Sequence, residues 1–431
     1  MTLRPLKLQG GFTGLLYITS IIAGYIADNY IGYYRSVLYG GGLLIVGYLV
    51  LAFAPSLFML SCALGIISVG TGLLKSNTSS YLGTFYERED PRREQGFTVF
   101  YAGINIGSML GNIFSGILFL YAGSQISFCV AAFGVMLGTA LFYLGFKKLN
   151  LKLVRSVVDK KSWVIASVIT LVAVIISTFV IYNPKFSLLF FSLVTILSIV
   201  FIFQASKDSK EQIKRSVAYL IFLAIAVIFW GIYNQMFLSM NLFIDRLVDH
   251  HILGIPMTTQ SFIVANNIGV ILFGFSVLRL WRHISDSKKY MLGMFLLSLV
   301  FMIVVAGIDA SSAYAKIAAY WVIMAYLMLS LSELCISPIG LSLATKLAPR
   351  NKIGTFMGLW LVTSGIGGYV AGVIAKYAAI QNQHSNIELL KATYKNAFNH
   401  YIGIAIAAFI VTLLLGYIIG KLVEKPSRAQ A

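Results

Sequence analysis

The chain has 431 residues, of which 58% are hydrophobic and only 11% are charged, whereas soluble domains carry about 25% charged residues. Lys and Arg outnumber Asp and Glu by 33 to 15 and give a formal net charge of +18, but the basic residues lie in short loops between apolar runs. This pattern excludes a soluble protein and argues against a nucleic-acid partner, because the cytoplasmic loops of membrane proteins collect Lys and Arg.

Thirteen apolar runs are long enough to cross a bilayer, which requires roughly 20 mostly apolar residues. No stretch between them is long enough for a separate soluble domain. The sequence therefore predicts an all-α polytopic membrane protein, with helices near 11–28, 35–54, 57–82, 96–121, 125–146, 162–182, 186–205, 216–243, 259–281, 290–308, 315–340, 353–376 and 399–420.

Basic loops alternate along the chain with turns that carry little charge. The basic segments are 147–161, 206–215, 279–289, 346–352 and the tail after 420. The poorly charged turns are 54–57, 121–125, 183–185 and 309–314. Because basic loops stay in the cytoplasm, this alternation predicts a cytoplasmic C-terminus and puts Met1 on the other side. Transporters built from paired repeats usually have an even number of spans. We therefore expect one further helix before residue 1, fourteen in all, unless a span has been miscounted.

The first polar stripe lies in the run 57–82. Ser68, Thr71, Lys75 and Thr78 recur every three or four residues, which places them on one helix face. Lys75 lies about seven residues from the end of the run, roughly 10 Å at 1.5 Å per residue. A lysine there can extend to the interface, but its small polar neighbours favour a water-filled cavity.

The second stripe lies in 96–121 and includes Tyr101 and Asn105. Glycines four residues apart beside it allow close contact between helices. For Asn105 the sequence leaves two interpretations open, a hydrogen bond to another helix and a contact with a ligand.

The third stripe lies in 315–340 and contains Glu333, the only acid in the interior of a predicted span. Intramembrane acids are costly and usually functional. A structural ion pair is the alternative, but an acid here and a base at Lys75 would suit a zwitterionic ligand. Trp360, in the middle of 353–376, is by itself more typical of packing than of a pocket wall.

Several motifs resemble one transporter family. The segment 24–35, GYIADNYIGYYR, resembles the cytoplasmic turn of major facilitator transporters. The stretch 100–108, FYAGINIGS, is similar to the FYxxINxGS signature of proton-coupled oligopeptide transporters. The stretches 70–79, 332–340 and 345–349 resemble further motifs of that family, and the whole is most like the bacterial dipeptide and tripeptide permeases.

The resemblance implies a major facilitator fold with two helical bundles and two inserted helices. The expected domains are an N-terminal bundle at 1–146, which lacks its first helix, a linker with two extra membrane helices at 147–215, and a C-terminal six-helix bundle at 216–431. The family's ExxER motif, which lies in its first helix, does not occur in this chain.

The resemblance also implies roles for individual residues. Lys75 would hold the carboxylate of a peptide, Glu333 its amino terminus and Asn105 its backbone. Tyr17 matches a family tyrosine that contacts substrate, and Trp360 would wall a side-chain pocket.

Three further positions complete this comparison. Asn266 matches a family asparagine, although Asn267 follows it instead of proline. Asp28 and Arg35 match the gate motif. Some members carry an acid where this chain has Asn234, so Glu333 and Lys75 remain the candidates for proton coupling.

The resemblance leads us to expect symport of di- and tripeptides with protons by alternating access. We expect a monomer in a bacterial inner membrane, with the lipid bilayer, peptides and protons as its partners. The proton gradient replaces a cofactor, and no metal or enzymatic activity is expected. The alternatives are a truncated, inactive homologue and a facilitator for another small solute. A membrane enzyme is disfavoured, because no large loop carries clustered acids or histidines.

Overall fold

The computed structural model describes residues 3–87, 90, 92–149, 158–183, 186–207, 209–252, 254–281, 284–378 and 386–423. Parts of four predicted basic segments lie outside the described residues, namely the loops 147–161 and 206–215, the turn 279–289 and the tail after 420.

Helices make up almost all of the described chain. The α-helices are α1 Leu3–Ile26, α2 Tyr33–Ala52, α3 Leu57–Gly83, α4 Arg92–Lys148, α5 Lys160–Tyr182, α6 Ser187–Ser206, α7 Lys210–Tyr233, α8 Ser239–Leu247, α9 Ile263–Leu280, α10 Asp286–Ala310, α11 Ala319–Leu347, α12 Ile353–Ile374 and α13 Ile387–Val423. A π-helical turn, Ala27–Ile31, follows α1. Two antiparallel strands of two residues each, β1 His251–Ile252 and β2 Ile255–Pro256, pair with each other.

The predicted all-α membrane architecture is confirmed. Nine helices in the described residues are long and apolar enough to cross a membrane. The predicted spans 96–121 and 125–146 both lie in α4, which breaks at Gly123. This residue has φ +77°, a left-handed conformation that glycine adopts without the strain that a Cβ would introduce.

Several predicted boundaries differ from the structure. Helix α1 begins at Leu3 and not at 11, and α11 ends at Leu347 and not at 340. The span 216–243 does not form one helix, because α7 ends at Tyr233 and a 3₁₀ turn, Asn234–Met236, separates it from α8. Helix α13 begins at Ile387, three turns before the predicted span at 399. Its first turns are polar, so apolarity alone does not reveal them.

The helices group into two compact units. Unit 1 comprises Met1–Arg93, Gly111–Leu220 and Leu341–Ile366, and unit 2 comprises Glu94–Leu110, Ile221–Gly340 and Gly367–Ala431. The predicted domain boundaries describe the order of segments along the chain, which this grouping by packing does not test. They stay a prediction.

In unit 1, α3 packs against α1, α2 and α5. Ala23, Val69, Leu73 and Ala173 belong to one buried apolar cluster of these helices. A Cβ at Gly72 of α3 would lie 2.8 Å from the Thr19 carbonyl carbon of α1. The absent side chain therefore lets these two helices approach closely.

In unit 2, α10 packs along α13, and α9 contacts α11 through Val270, Val277 and Leu334. Lys289, which the sequence places in a basic loop, instead lies in the first turn of α10 and is 1% exposed. Its Nζ lies 2.5 Å from Glu94 Oε2. The pairing explains how a lysine can be buried there, since a charge left unpaired would be strongly destabilising.

Candidate functional site

Glu333 is the centre of a hydrogen-bonded cluster in unit 2. The residue is buried, with 3% of its surface exposed. Oε1 accepts a hydrogen bond from the Tyr101 hydroxyl. Oε2 accepts from the Tyr233 hydroxyl at 3.0 Å and from Nδ2 of Asn266 at 3.1 Å. In the part of the chain that the structure describes, the three polar partners of Glu333 are therefore neutral donors. The structural ion pair that the sequence left as an alternative does not form there.

Close packing of α9 on α11 brings Asn266 to Glu333. A Cβ at Gly269 would lie 2.1 Å from Oγ of Ser330, so the two helices approach at a point where one has no side chain. Asn266 precedes Gly269 by three residues, and Glu333 follows Ser330 by three. Each pair therefore lies one helical turn apart, which sets the amide opposite the carboxylate.

Helices α4 and α7 supply the two tyrosines. Tyr101 contacts the apolar cluster of Val270, Val277 and Leu334 between α9 and α11. Tyr233 is the last residue of α7, and its ring lies 5.0 Å from that of Trp230, edge to face. Aromatic packing of this kind fixes the ring and so the direction of the hydroxyl.

The second group of candidate residues lies in unit 1. Nζ of Lys75 lies 4.9 Å from the ring centroid of Tyr17, within the range of a cation–π contact. The close approach of α1 and α3 at Gly72 produces this pairing, since Tyr17 and Lys75 each lie near that point on their helices. The structure thus places a buried acid in unit 2 and a half-buried base in unit 1.

Two further predicted residues, Asn105 and Trp360, make hydrogen bonds within their own helices. Asn105 is 6% exposed and donates from Nδ2 to the Tyr101 carbonyl of its own helix at 3.0 Å. This bond is neither the interhelical bond nor the ligand contact that the sequence left open. Trp360 is buried on α12, where its carbonyl accepts from Oγ1 of Thr363 at 2.7 Å. The substrate roles of both residues stay predictions.

Asp28 caps the amino terminus of α12. One carboxylate oxygen accepts from the Gly354 amide at 2.9 Å and from the Tyr33 hydroxyl at 2.9 Å. The other accepts from the amide and the hydroxyl of Thr355, both at 2.7 Å. A carboxylate at this end of a helix satisfies free N–H groups and complements the helix dipole. Arg35 lies half-buried in the first turn of α2, and the gating role of both residues stays a prediction.

Lys352 makes a second contact beside this cap. Its Nζ donates to Oδ1 of Asn29 at 2.9 Å and lies 5.8 Å from the ring centroid of Tyr25. The π-helical turn is therefore joined to the start of α12 through two neighbouring residues.

Sequence reasoning identified Glu333 and Asn266 but missed that Tyr233 and Tyr101 complete the cluster. Tyr101 was visible as a member of the polar stripe in 96–121. Tyr233 gave a weaker signal, because a buried aromatic residue is more often a packing residue. Its place at the end of α7, immediately before a turn, depends on a break that apolarity does not reveal.

Comparison with known proteins shows which family this chain is similar to. The sequence model of the POT family matches residues 34–395. An uncharacterized transporter, YclF of Bacillus subtilis (strain 168), is 34% identical over 390 residues, which cover 85% of this chain and 78% of the relative. The peptide transporter YePEPT of Yersinia enterocolitica is 31% identical over 399 residues, with the same coverage of 85% and 78%.

Solved structures show the same fold. A crystal structure of a mutant peptide transporter POT in complex with alafosfalin is similar over 98% of this chain and 87% of that chain, with 27% identity and a TM-score of 0.72. The apolar helices and these matches establish a multi-pass membrane protein with a major facilitator fold that is no enzyme. Because the family match extends over most of its length, the chain belongs to the POT family.

Proposed function

We propose that this protein transports di- and tripeptides together with protons by alternating access. The observation that carries the proposal is the cluster around Glu333, a buried carboxylate that neutral donors hold in place. An intramembrane acid is costly and typical of an ion or substrate pathway. The peptide transporters among its relatives support the same activity.

The candidate residues suit the two charged ends of a short peptide. The carboxylate of Glu333, with Asn266 beside it, binds the amino terminus. The Lys75 ammonium, steadied by the face of Tyr17, binds the carboxylate end. Asn105 contacts the peptide backbone, and Trp360 lines a side-chain pocket.

The remaining expectations belong to the same proposal. The pairing of Asp28 with α12 and the neighbouring Arg35 form the cytoplasmic gate. The protein is a monomer in a bacterial inner membrane with its C-terminus in the cytoplasm. The proton gradient drives transport without a cofactor.

Uptake into proteoliposomes tests the proposal. We expect labelled dialanine to accumulate under an imposed pH gradient, inside alkaline, and an uncoupler to abolish accumulation. Glu333→Gln removes the titratable group and should abolish gradient-driven accumulation. Glu388→Gln is the matched control, because Glu388 is an exposed acid at the start of α13, and it should leave accumulation unchanged.

Three results would contradict the proposal. Accumulation that an uncoupler does not affect would exclude proton coupling. Protection from thermal unfolding by a sugar but not by dialanine would indicate a facilitator for another solute. Absence of any transport would favour an inactive homologue.

A further inference from the structure

The Tyr233 hydroxyl lies within reach of two acceptors at once. It is 3.0 Å from Oε2 of Glu333 and 3.4 Å from Oδ1 of Asn266. Asn266 itself donates from Nδ2 to the same Oε2 at 3.1 Å. The three side chains therefore form a closed triangle in which Tyr233 can redirect its proton without moving its ring.

Protonation of Glu333 forces this triangle to rearrange. A charged carboxylate oxygen accepts from both neighbours, but a protonated Oε2 becomes a donor and needs an acceptor. The amide nitrogen of Asn266 cannot accept, whereas a tyrosine hydroxyl can donate and accept together. The Tyr233 oxygen can therefore accept the new hydrogen bond from Glu333. Its own O–H group then needs another acceptor, and Oδ1 of Asn266 lies within reach.

We propose that Tyr233 is a hydrogen-bond switch that transmits the protonation state of Glu333 to Asn266, an inference that rests on the proposed function. A hydronium ion gives its proton to Oε2, which neutralises the carboxylate and leaves a water molecule. The O–H group of Tyr233 rotates from Oε2 to Oδ1 of Asn266, and its oxygen accepts from the new carboxyl O–H. No covalent bond breaks in Tyr233, which acts as a positioning residue.

The switch changes what the site offers a peptide amino terminus. With Glu333 charged, the carboxylate and Oδ1 of Asn266 are both available to accept from an ammonium group. After protonation Glu333 is neutral, and the Tyr233 hydroxyl donates to Oδ1 of Asn266. Both attractions therefore weaken together, and proton arrival promotes release of the peptide.

Glu333 is the titratable group whose protonation rearranges the triangle. Tyr101 faces Oε1 from α4, and Tyr326 precedes Glu333 by two turns on α11. The charged pair of Glu94 and Lys289 lies further along α4 and α10, where the two opposite charges compensate each other.

Tyr233→Phe removes the hydroxyl and keeps the ring. The matched control is Tyr326→Phe, since Tyr326 is also buried and lines the same small cavity, while its hydroxyl lies 3.4 Å from the Met236 carbonyl instead. The measurement is dialanine binding to the purified full-length chain by calorimetry from pH 8 to pH 5.

The pH dependence of dialanine affinity tests whether Tyr233 is the switch. A hydrogen bond to a charged group is worth about tenfold in affinity and one to a neutral acceptor about fivefold. Wild type and Tyr326→Phe lose both on acidification, so their affinity for dialanine should fall by about fiftyfold. Tyr233→Phe should lose only the contribution of the Glu333 charge, about tenfold, because Oδ1 of Asn266 stays available in both states. An equal loss in both variants would overturn the switch. Wild-type chain that binds no dialanine at any pH would overturn the proposed function first.

A second pair of variants tests the switch if Tyr233→Phe does not fold. Asn266→Leu removes the alternative acceptor and should reduce the same pH dependence to about tenfold, the contribution of the Glu333 charge. Asn267→Leu is its control, since Asn267 is also buried and its Nδ2 has no partner among the described residues. A dependence of about fiftyfold in Asn266→Leu, equal to that of the wild type, would contradict the proposal.

Discussion

At the scale of single residues, Asp28 is distinguished by its use of both carboxylate oxygens. Each oxygen accepts two hydrogen bonds, one of them from a backbone amide of α12. Asp159 caps α5 in a simpler way, with one oxygen that accepts from the Ser162 amide at 3.0 Å. The two residues therefore respond differently to the same isosteric change.

Asp28→Asn should destabilise the protein, whereas Asp159→Asn should not. An amide has one oxygen, so its NH₂ group would face donors that Asp28 now satisfies, which costs about 1–3 kcal/mol. Asn is as good an N-cap as Asp for a single bond, so α5 loses nothing. Thermal unfolding in detergent measures both variants, and equal melting temperatures would show that the second oxygen of Asp28 is dispensable.

The sequence predicted those candidate residues whose charge or polarity is unusual in an apolar run. A carboxylate in an apolar run identified Glu333, and a stripe of small polar residues identified Lys75. Tyr233 carried no comparable signal, because its role comes from the contact with Glu333 that tertiary packing creates. A tyrosine at a helix end is apolar enough to pack and polar enough to bond, and the sequence alone does not decide between these roles.

At the scale of helices, apolar length located most elements but not their polar ends. Helix α13 begins three turns before its apolar run, where Lys391 donates to Oγ of Ser311 and to the Ser312 carbonyl, at 2.6 and 2.7 Å. These contacts stabilise a polar extension against the end of α10. The break after Tyr233 was equally hidden, since apolar residues continue on both sides of it.

The contact of α1 with α12 depends on a glycine. A Cβ at Gly24 would lie 2.1 Å from the Gly354 carbonyl oxygen and 2.7 Å from the Thr355 amide nitrogen. Both are backbone atoms, which cannot move aside as a side chain can. The contact lies beside the cap that Asp28 forms, so the two features stabilise the same junction.

Gly24→Ala should therefore separate α1 from α12 and destabilise the protein by about 1–3 kcal/mol, as overpacking does. Gly42→Ala is the control, because a Cβ at Gly42 would meet nothing within 4 Å and alanine favours a helix over glycine. Thermal unfolding compares the two. A stable Gly24→Ala variant would mean that the helices accommodate a methyl group there.

At the scale of the whole molecule, charge predicts how the chain crosses the membrane. Helix α11 joins a poorly charged turn, 309–314, to the basic turn 346–352. Because basic turns are retained in the cytoplasm, the two ends of α11 should lie on opposite sides. Structure alone does not decide this orientation, since a helix bundle has the same contacts either way up.

Single cysteines on the two turns measure the orientation directly. Ala313 and Asn351 are both exposed and flank α11, so Ala313→Cys and Asn351→Cys form a matched pair in a chain whose Cys62, Cys129 and Cys335 are replaced. A membrane-impermeant maleimide added to intact cells should label position 313 and reach position 351 only after permeabilisation. Labelling in the reverse order would invert the topology and place the junction of Asp28 with α12 outside, where it could not serve as a cytoplasmic gate.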